Sequence, residues 1–505
     1  MRRLPLFGLL LASNTLTAQT SSPLAHAAAS ITPADVARRI GIIADDSMMG
    51  RDTPSRGLEL TAQYVADQFR SFGLKPGGEN GTWFQRYPIT HRRLDLAASH
   101  VIFEAAGVSD TATFTRAARS VSSAIATRPT PGTAVLVGGA LSVAALSHFA
   151  LEDRLVLYPL DFSKPISDNR TKLIRAMRLA GARAVVLLSN LDSAAFAAKL
   201  PRRAPERSGA EVERPVPPVV EVADWAVARA LRAAHVDLAA VRGSSRPFYR
   251  AVPSLTVRVA MADSVLSSST APNTVGILEG SDPKLNEEYV VFSAHMDHIG
   301  ITPGPTDSIN NGADDDGSGT AGVMELAEAF SRPGVRPRRS IIFLTVSGEE
   351  KGLWGSRYFS EHPAVPLPQI VADLNIDMIG RNWPDTIVAI GKDQSDLGRT
   401  LERVNAAHRE LGMTAIDDRW PDERFYFRSD HYNFARKGVP ILFFFNGVHP
   451  DYHQVTDSPD KINSEKESRI LKLLFYLGQD VANAPKRPAW NPESYKEIVE
   501  DETGR

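Results

Sequence analysis

The sequence predicts an α/β fold: a mainly parallel, doubly wound sheet interrupted by a smaller inserted α/β domain. Two observations carry this. From Asn273 onward, near-continuous apolar runs alternate regularly with amphipathic segments, as expected for strands buried on both faces and separated by covering helices. Between about Val101 and Val259, shorter β-branched runs alternate with Ala- and Arg-rich stretches, a different texture that marks a second unit. A length of 505 residues suits two or three domains, and 43% hydrophobic with 23% charged residues is an ordinary balance for a chain with a sizeable core. With 57 Lys+Arg against 59 Asp+Glu, the net charge of -2 gives no bulk attraction to nucleic acid or to an anionic membrane. Cys is absent, which excludes disulfide scaffolds, thiolate zinc sites, iron–sulfur clusters and cysteine nucleophiles. Any metal must be held by His, Asp and Glu.

In chain order, Arg2 and Arg3, the apolar run Leu4 to Ala12 and small-residue sites at Thr17-Ala18-Gln19 or Ala25-His26-Ala27 read as a secretory signal peptide over residues 1–27. Export to the periplasm or the medium is therefore expected. No later stretch approaches ~18 apolar residues, so no stable membrane insertion is expected. Residues 28–98 begin the larger domain, with Thr32 and Pro33 as cap and first-turn residue of a helix. A second helix over Leu58 to Phe72 ends at Gly73, and a Gly-rich turn leads into a short strand, Phe84 to Ile89. Residues 99–265 form the insert, with strands at Ala134–Val137, Leu155–Tyr158, Ala184–Leu188 and Val219–Val222, a helix over Lys172–Ala180 and an exposed loop from Pro201 to Pro218. The insert has no cluster of His with carboxylates and is assigned no chemistry. Residues 266–486 complete the larger domain. Its strands are Tyr289–Ala294, Ser340–Val346, Ile370–Met378, Ile387–Ile390 and Val439–Phe445; its helices are Ser318–Phe330, Leu353–Glu361, Asp396–Leu411 and Glu465–Ala484. Residues 487–505 are a tail.

Parallel sheets bind ligands beyond the carboxyl ends of their strands. Those ends carry His295-Met-Asp297-His298, Ser347-Gly-Glu349-Glu350, Asp377, and a loop with His449, Asp451, Tyr452 and His453. Asn310-Asn-Gly-Ala-Asp314-Asp-Asp316 adds three more carboxylates. So many negative charges on one rim raise one another's pKa unless a cation neutralises them. A mixed imidazole and carboxylate set suits Zn²⁺, Mn²⁺ or Co²⁺ rather than Ca²⁺ or Mg²⁺, and the donors suffice for two ions. Gly317-Ser-Gly319-Thr-Ala-Gly322 fits G-x-G-x-x-G, but the three Asp residues before it would repel a pyrophosphate. No G-x-S-x-G, Walker loop or H-E-x-x-H is present.

The set His295-Met-Asp297, Gly312-Ala-Asp314-Asp315-Asp316-Gly-Ser-Gly, Ser347-Gly-Glu349-Glu350, Asn375-Ile-Asp377-Met and Tyr452-His453 resembles the M28 family of co-catalytic zinc exopeptidases. The insert resembles the protease-associated (PA) domain carried by many members. The resemblance implies that Asp315 bridges two zinc ions, with His295 and Asp377 completing one site and Glu350 and His453 the other; Mn²⁺ or Co²⁺ could substitute. It makes Glu349 the general base for a water shared by the ions, and gives Asp297 the task of holding the second ring nitrogen of His295. It also makes Asp315-Asp316 a candidate cis peptide and Tyr452 a donor to the developing oxyanion. Arg428 is a second such donor and a substrate contact. The side-chain pocket is sought among Trp383, Phe425, Tyr426 and Phe427. Asp430 and His431 are expected to form a supporting hydrogen-bond pair, and His298 and His449 to be non-ligands. The implied activity is an exported aminopeptidase acting on peptides. The alternatives are a carboxypeptidase or dipeptidase of the same family, a glutaminyl cyclase-like transferase, and a non-catalytic binding module.

Overall fold

The computed structural model describes residues 22–121, 127–163, 169–210, 217–304 and 307–500. The expected signal peptide lies outside the described residues up to residue 21. Its last part does not: Pro23–Ala29 is helical, with Ala27 and Ala28 buried in the main core. A chain cut after residue 27 would lose most of a packed helix, whereas a cut near Ala18 would leave it whole. The next helix, Pro33–Ile43, starts as expected, with the Thr32 hydroxyl accepting the Asp35 N–H at 3.1 Å. Arg56–Ser71 follows, capped in the same way by Ser55.

The sheet of the larger domain centres on Tyr289–His295, which runs parallel to both Ser340–Val346 and Ile370–Ile376; the latter is parallel to Ile441–Phe444. Both flanks are antiparallel: Thr274–Leu278 on Ser340–Val346, and Thr386–Ile390 on Ile441–Phe444. Strand alternation divides the apolar runs between two cores. Val290, Phe292, Ile341 and Phe343 pack with the helices Pro33–Ile43, Arg56–Ser71, Gly319–Phe330 and Ser464–Asn483. Val291, Ile342 and Leu344 pack on the opposite face with Phe359 and Phe434, from the helices Trp354–Glu361 and His431–Ala435. The sheet is thus covered on both sides, as its apolar runs require.

The insert is joined to this sheet by two long strands, Phe84–Ala105 and Pro247–Leu278, paired antiparallel from Phe84 opposite Thr274 to Glu104 opposite Thr256. The expected boundaries at 98/99 and 265/266 therefore fall inside continuous strands. The short strand expected at Phe84–Ile89 is only the start of one. Sequence pattern misses this because Val265–Thr270 is exposed and Ser-rich, with no apolar face; its extended backbone is set by pairing with residues 88–92. Part of the loop expected over Pro201–Pro218 is likewise a strand, Glu206–Ala210, paired with residues 89–93. Within the insert, Thr127–Gly139, Leu155–Leu160, Ala184–Ser189 and Val219–Ala223 run parallel in that order around a separate core that includes Leu136, Leu157, Val186 and Val222. Among the described residues, donor groups able to hold a metal occur only in the larger domain.

Candidate metal centre

His295 ends the central strand, where Asp316 and Thr320 fix its backbone: the His295 N–H donates to Asp316 Oδ2 (3.1 Å) and Thr320 Oγ1 donates to the His295 carbonyl (2.9 Å). Its Nε2 stands 3.3 Å from Asp315 Oδ1 and 3.6 Å from Asp377 Oδ1. Asp377 follows the strand Ile370–Ile376, and its Oδ2 accepts the Ser429 hydroxyl at 2.9 Å. On the other side of Asp315, His453 Nε2 lies 3.1 Å from Asp315 Oδ2 and 3.1 Å from Glu350 Oε2. The five residues expected to hold metal thus converge, with Asp315 between the two groups. The Asp315-Asp316 peptide is cis.

The three consecutive aspartates do different things. Asp316 accepts the N–H groups of His295, Gly319 (2.8 Å) and Met378 (3.2 Å), tying two strand ends to the start of a helix. Asp314 accepts the Gly380 N–H at 2.7 Å. Only Asp315 faces the imidazoles from both sides, so the charge crowding inferred from sequence is partly relieved by backbone donors. Burial, then the nearby Asp377, raises the Asp316 carboxyl well above the ordinary carboxylate range.

Asp297 departs from its expected role. Its carboxylate is 3.7 Å from His295 Nδ1, beyond hydrogen-bond range, while its carbonyl is nearer at 3.2 Å. The carboxylate instead accepts the Thr53 hydroxyl (3.0 Å) and the Glu349 N–H (3.3 Å), and so positions the loop that carries Glu349. Asp430 and His431 do not pair either: His431 Nε2 faces the Tyr426 carbonyl at 2.8 Å and its ring stacks on Phe443, while both carboxylate oxygens of Asp430 are buried without a hydrogen-bond partner.

The residues fit a metal. Buried Asp315 Oδ2, Glu350 Oε1, Asp377 Oδ1 and His453 Nε2 have no hydrogen-bond partner, an arrangement that is costly unless a cation completes it. The local field asks for positive charge as well. Burial lowers the His453 pKa, but Asp315 and Glu350 outweigh it and push the imidazole up to about 10. Nitrogen and carboxylate donors without sulfur are a zinc-type set.

A pocket opens on His295, Asp315, Glu349 and Asp377. Its walls include Phe425, Phe443, Phe445, Val448, Met378 and Tyr452. Tyr452 stacks on His453 with ring centres 3.9 Å apart, and burial, then Asp315 and Glu350, raise its hydroxyl pKa, which keeps it a proton donor. Arg428 reaches the rim, its guanidinium 4.7 Å over the Phe425 ring and 3.2 Å from the Glu423 carboxylate. Tyr426, expected to contact substrate, is instead buried beneath, edge-on to His431 and Phe427. Trp383 packs on Trp420 and Phe427 on Tyr432, outside the pocket lining. In a run of adjacent aromatics the short 3₁₀ turn at Phe425–Phe427 decides which one faces inward, and periodicity does not reveal it.

Three residues not expected at the site are there. Arg51 is fully buried and donates to the carbonyls of Met296 (2.9 Å), Ile43 (2.9 Å), Asn311 (2.5 Å) and Gly312 (2.9 Å). Asp457 accepts the N–H groups of Asp314 (3.0 Å) and Asp315 (3.2 Å), fastening the His453 loop to Asp315. His298, expected to be a bystander, places Nδ1 2.9 Å from Glu350 Oε1. A signal for Asp457 was available in its place four residues after His453; none marks Arg51. Gly312 makes room for His298: at φ +55°, a Cβ there would lie 2.5 Å from His298 Cγ and 2.3 Å from the Asp315 carbonyl. Gly312→Ala is therefore expected to cost about 1–3 kcal/mol of stability and to lower metal content, read by thermal unfolding and by metal analysis of the purified protein.

Residues 273–478 match the model of Peptidase family M28. Over 196 residues, 39% of this chain and 40% of the relative, the sequence is 31% identical to leupeptin-inactivating enzyme 1 of Streptomyces exfoliatus. Over 230 residues, 44% and 47% of the two chains, it is 24% identical to aminopeptidase YwaD of Bacillus subtilis (strain 168). The chain thus spans less than half the length of these curated relatives. In structure it is similar to the aminopeptidase from Aneurinibacillus sp. strain AM-1, with a TM-score of 0.50, 18% identity and coverage of 93% of this chain and 98% of that one. At that identity the fold is what is shared. The matched segment starts at the antiparallel strand Thr274–Leu278 that flanks the parallel strands and contains His295, Asp315, Glu349, Glu350, Asp377 and His453 in order; over residues 273–478 this chain is similar to peptidase family M28.

Proposed function

We propose that the protein is an exported aminopeptidase that uses two zinc ions, held by His295, Asp377 and Asp315 on one side and by Asp315, Glu350 and His453 on the other. The observation that carries this reading is the pocket in which unpartnered metal donors and Glu349 meet an apolar wall, a place for one terminal residue beside the reacting groups. Zinc there would polarise the scissile carbonyl and acidify the attacking water.

The chain's own residues supply the rest. Burial, then the carboxylates of Asp430, Asp377 and Glu350, raise the Glu349 carboxyl against the opposing His295, which suits a base that takes a proton from water and passes it to the leaving amine. The Tyr452 hydroxyl lines the same pocket and donates to the carbonyl oxygen as negative charge builds there. Phe425, Phe443 and Phe445 receive an apolar side chain and exclude water, and Arg428 at the rim meets the polar backbone beyond it. Among the described residues no helix is long and apolar enough to cross a membrane.

Mass-spectrometric cleavage of short peptides with free, N-acetylated and C-amidated ends tests the reading. Stepwise loss from free N-termini is expected, abolished by chelation and restored by zinc. Trimming from the C-terminus would replace the aminopeptidase assignment with a carboxypeptidase, and one ion per chain without cleavage would favour the cyclase-like alternative. The export reading is tested by N-terminal sequencing of the secreted protein, which is expected to begin between residue 18 and the helix Pro23–Ala29.

A further inference from the structure

The two groups of donors around Asp315 are not equivalent. The group facing the pocket has one imidazole, His295, with Asp315 and Asp377. The other has two, because His298 lies with Asp315 and Glu350 on the side where His453 also reaches them. Resting on the two-zinc reading above, we propose that His298 is a fourth protein ligand of the ion held by Asp315, Glu350 and His453, which makes that ion the tighter and more slowly exchanging of the pair.

Four observations support it. His298 is fully buried, and neither ring nitrogen has a hydrogen-bond partner. Its Nδ1 is 2.9 Å from Glu350 Oε1, yet the two atoms make no hydrogen bond: the distance is that of a bond and the direction is not. Donor atoms that share a tetrahedral zinc at ~2.0–2.1 Å stand roughly 3.3 Å apart. The observed separations scatter around that value: 2.9 Å and 3.7 Å from His298 to Glu350 and Asp315, and 3.1 Å and 3.1 Å from His453 to the same pair. Finally, the ring sits in a cradle that only a glycine at 312 leaves open, and the His298 N–H is anchored to the Arg51 carbonyl at 3.3 Å. Four protein donors close a tetrahedral site, whereas the three at His295, Asp315 and Asp377 leave a position open toward the pocket.

The test counts imidazoles. Apo-protein is titrated with Zn²⁺ against a chromophoric chelator, and the two-zinc form is examined by X-ray absorption. Three imidazoles per pair of ions are expected in the wild type and two in His298→Ala, with at least a tenfold to hundredfold loss of affinity at the tighter site. His298→Gln, which keeps a hydrogen-bonding side chain of similar reach, is expected to behave like His298→Ala; circular dichroism confirms that both variants fold. Two imidazoles in the wild type, or full zinc affinity in His298→Gln, would leave His298 a packed neighbour of Glu350 with no bond to the ion and overturn the proposal. A wild type that binds no zinc would overturn the underlying two-zinc reading instead.

Discussion

Glu349→Gln is expected to keep the fold and the zinc content and to lose about 10²–10⁴-fold in kcat. Glu349 follows the strand Ser340–Val346, its N–H is held by Asp297 Oδ1, and it lines the pocket beside His295, Asp315 and Asp377. It belongs to neither group of converging metal donors, so replacing one oxygen by an amide leaves those groups intact. What the amide cannot do is accept and return a proton. The measurement is kcat on a peptide substrate alongside zinc per chain: wild-type turnover would remove Glu349 as the base, and loss of zinc with the activity would make it a ligand.

Arg51→Ala is expected to destabilise the protein by about 3–5 kcal/mol, the range for removing one member of a buried charged network, and to weaken zinc binding with it. The guanidinium joins three segments: the helix Pro33–Ile43 through the Ile43 carbonyl, the end of the central strand through Met296, and the approach to Asp315 through Asn311 and Gly312. Burial lowers its pKa, while Asp315, Asp297, Asp457 and Asp316 act in the opposite direction; the guanidinium is thus a fixed positive charge behind the carboxylates. Truncation would strand four buried carbonyls and remove that charge. Arg51→Lys is expected to recover only part of the loss, because an ammonium cannot reach all four acceptors. Denaturant midpoints of the three proteins decide it, and an unchanged midpoint in Arg51→Ala would show that the network is dispensable.

The larger domain was legible because four of the chemical residues sit at the ends of strands whose apolar pattern is unmistakable: His295 after Tyr289–Ala294, Asp377 after the Ile370 run, Glu349 and Glu350 just past Val346. Order along the chain and the carboxyl-end rule together placed them on one rim. Contacts made across sequence were not legible. Arg51 is far in sequence from three of the four carbonyls it holds, and an Arg beside a helix reads as an ordinary surface charge. His298 looked like a loop residue because its neighbour Glu350 comes from the turn after a different strand, Ser340–Val346. The pocket wall was half visible: Phe425 was among the candidates, but Phe443 and Phe445 read as core strand, while Tyr426 was misplaced by one step of a tight turn. The long strands were hidden because Ser264–Thr270 is extended by its partner rather than by its own side chains.

Those two strands also bear on how the chain finds its fold. The N-terminal helices pack under a sheet whose strands come from after the insert, so the chain must close a very long loop before that core can form. The entropic cost of closing a loop grows by about 0.6 kcal/mol for each doubling of its length. Phe84–Ala105 and Pro247–Leu278 leave the insert side by side and already in register. Once the insert has formed, their ladder can zip from Glu104 and Thr256 toward Phe84 and Thr274 one pair at a time, and each pair shortens the loop that the next must close. An insert that forms first would deliver both halves of the larger domain to each other, and amide protection in a refolding pulse is then expected to spread along this ribbon from the insert end.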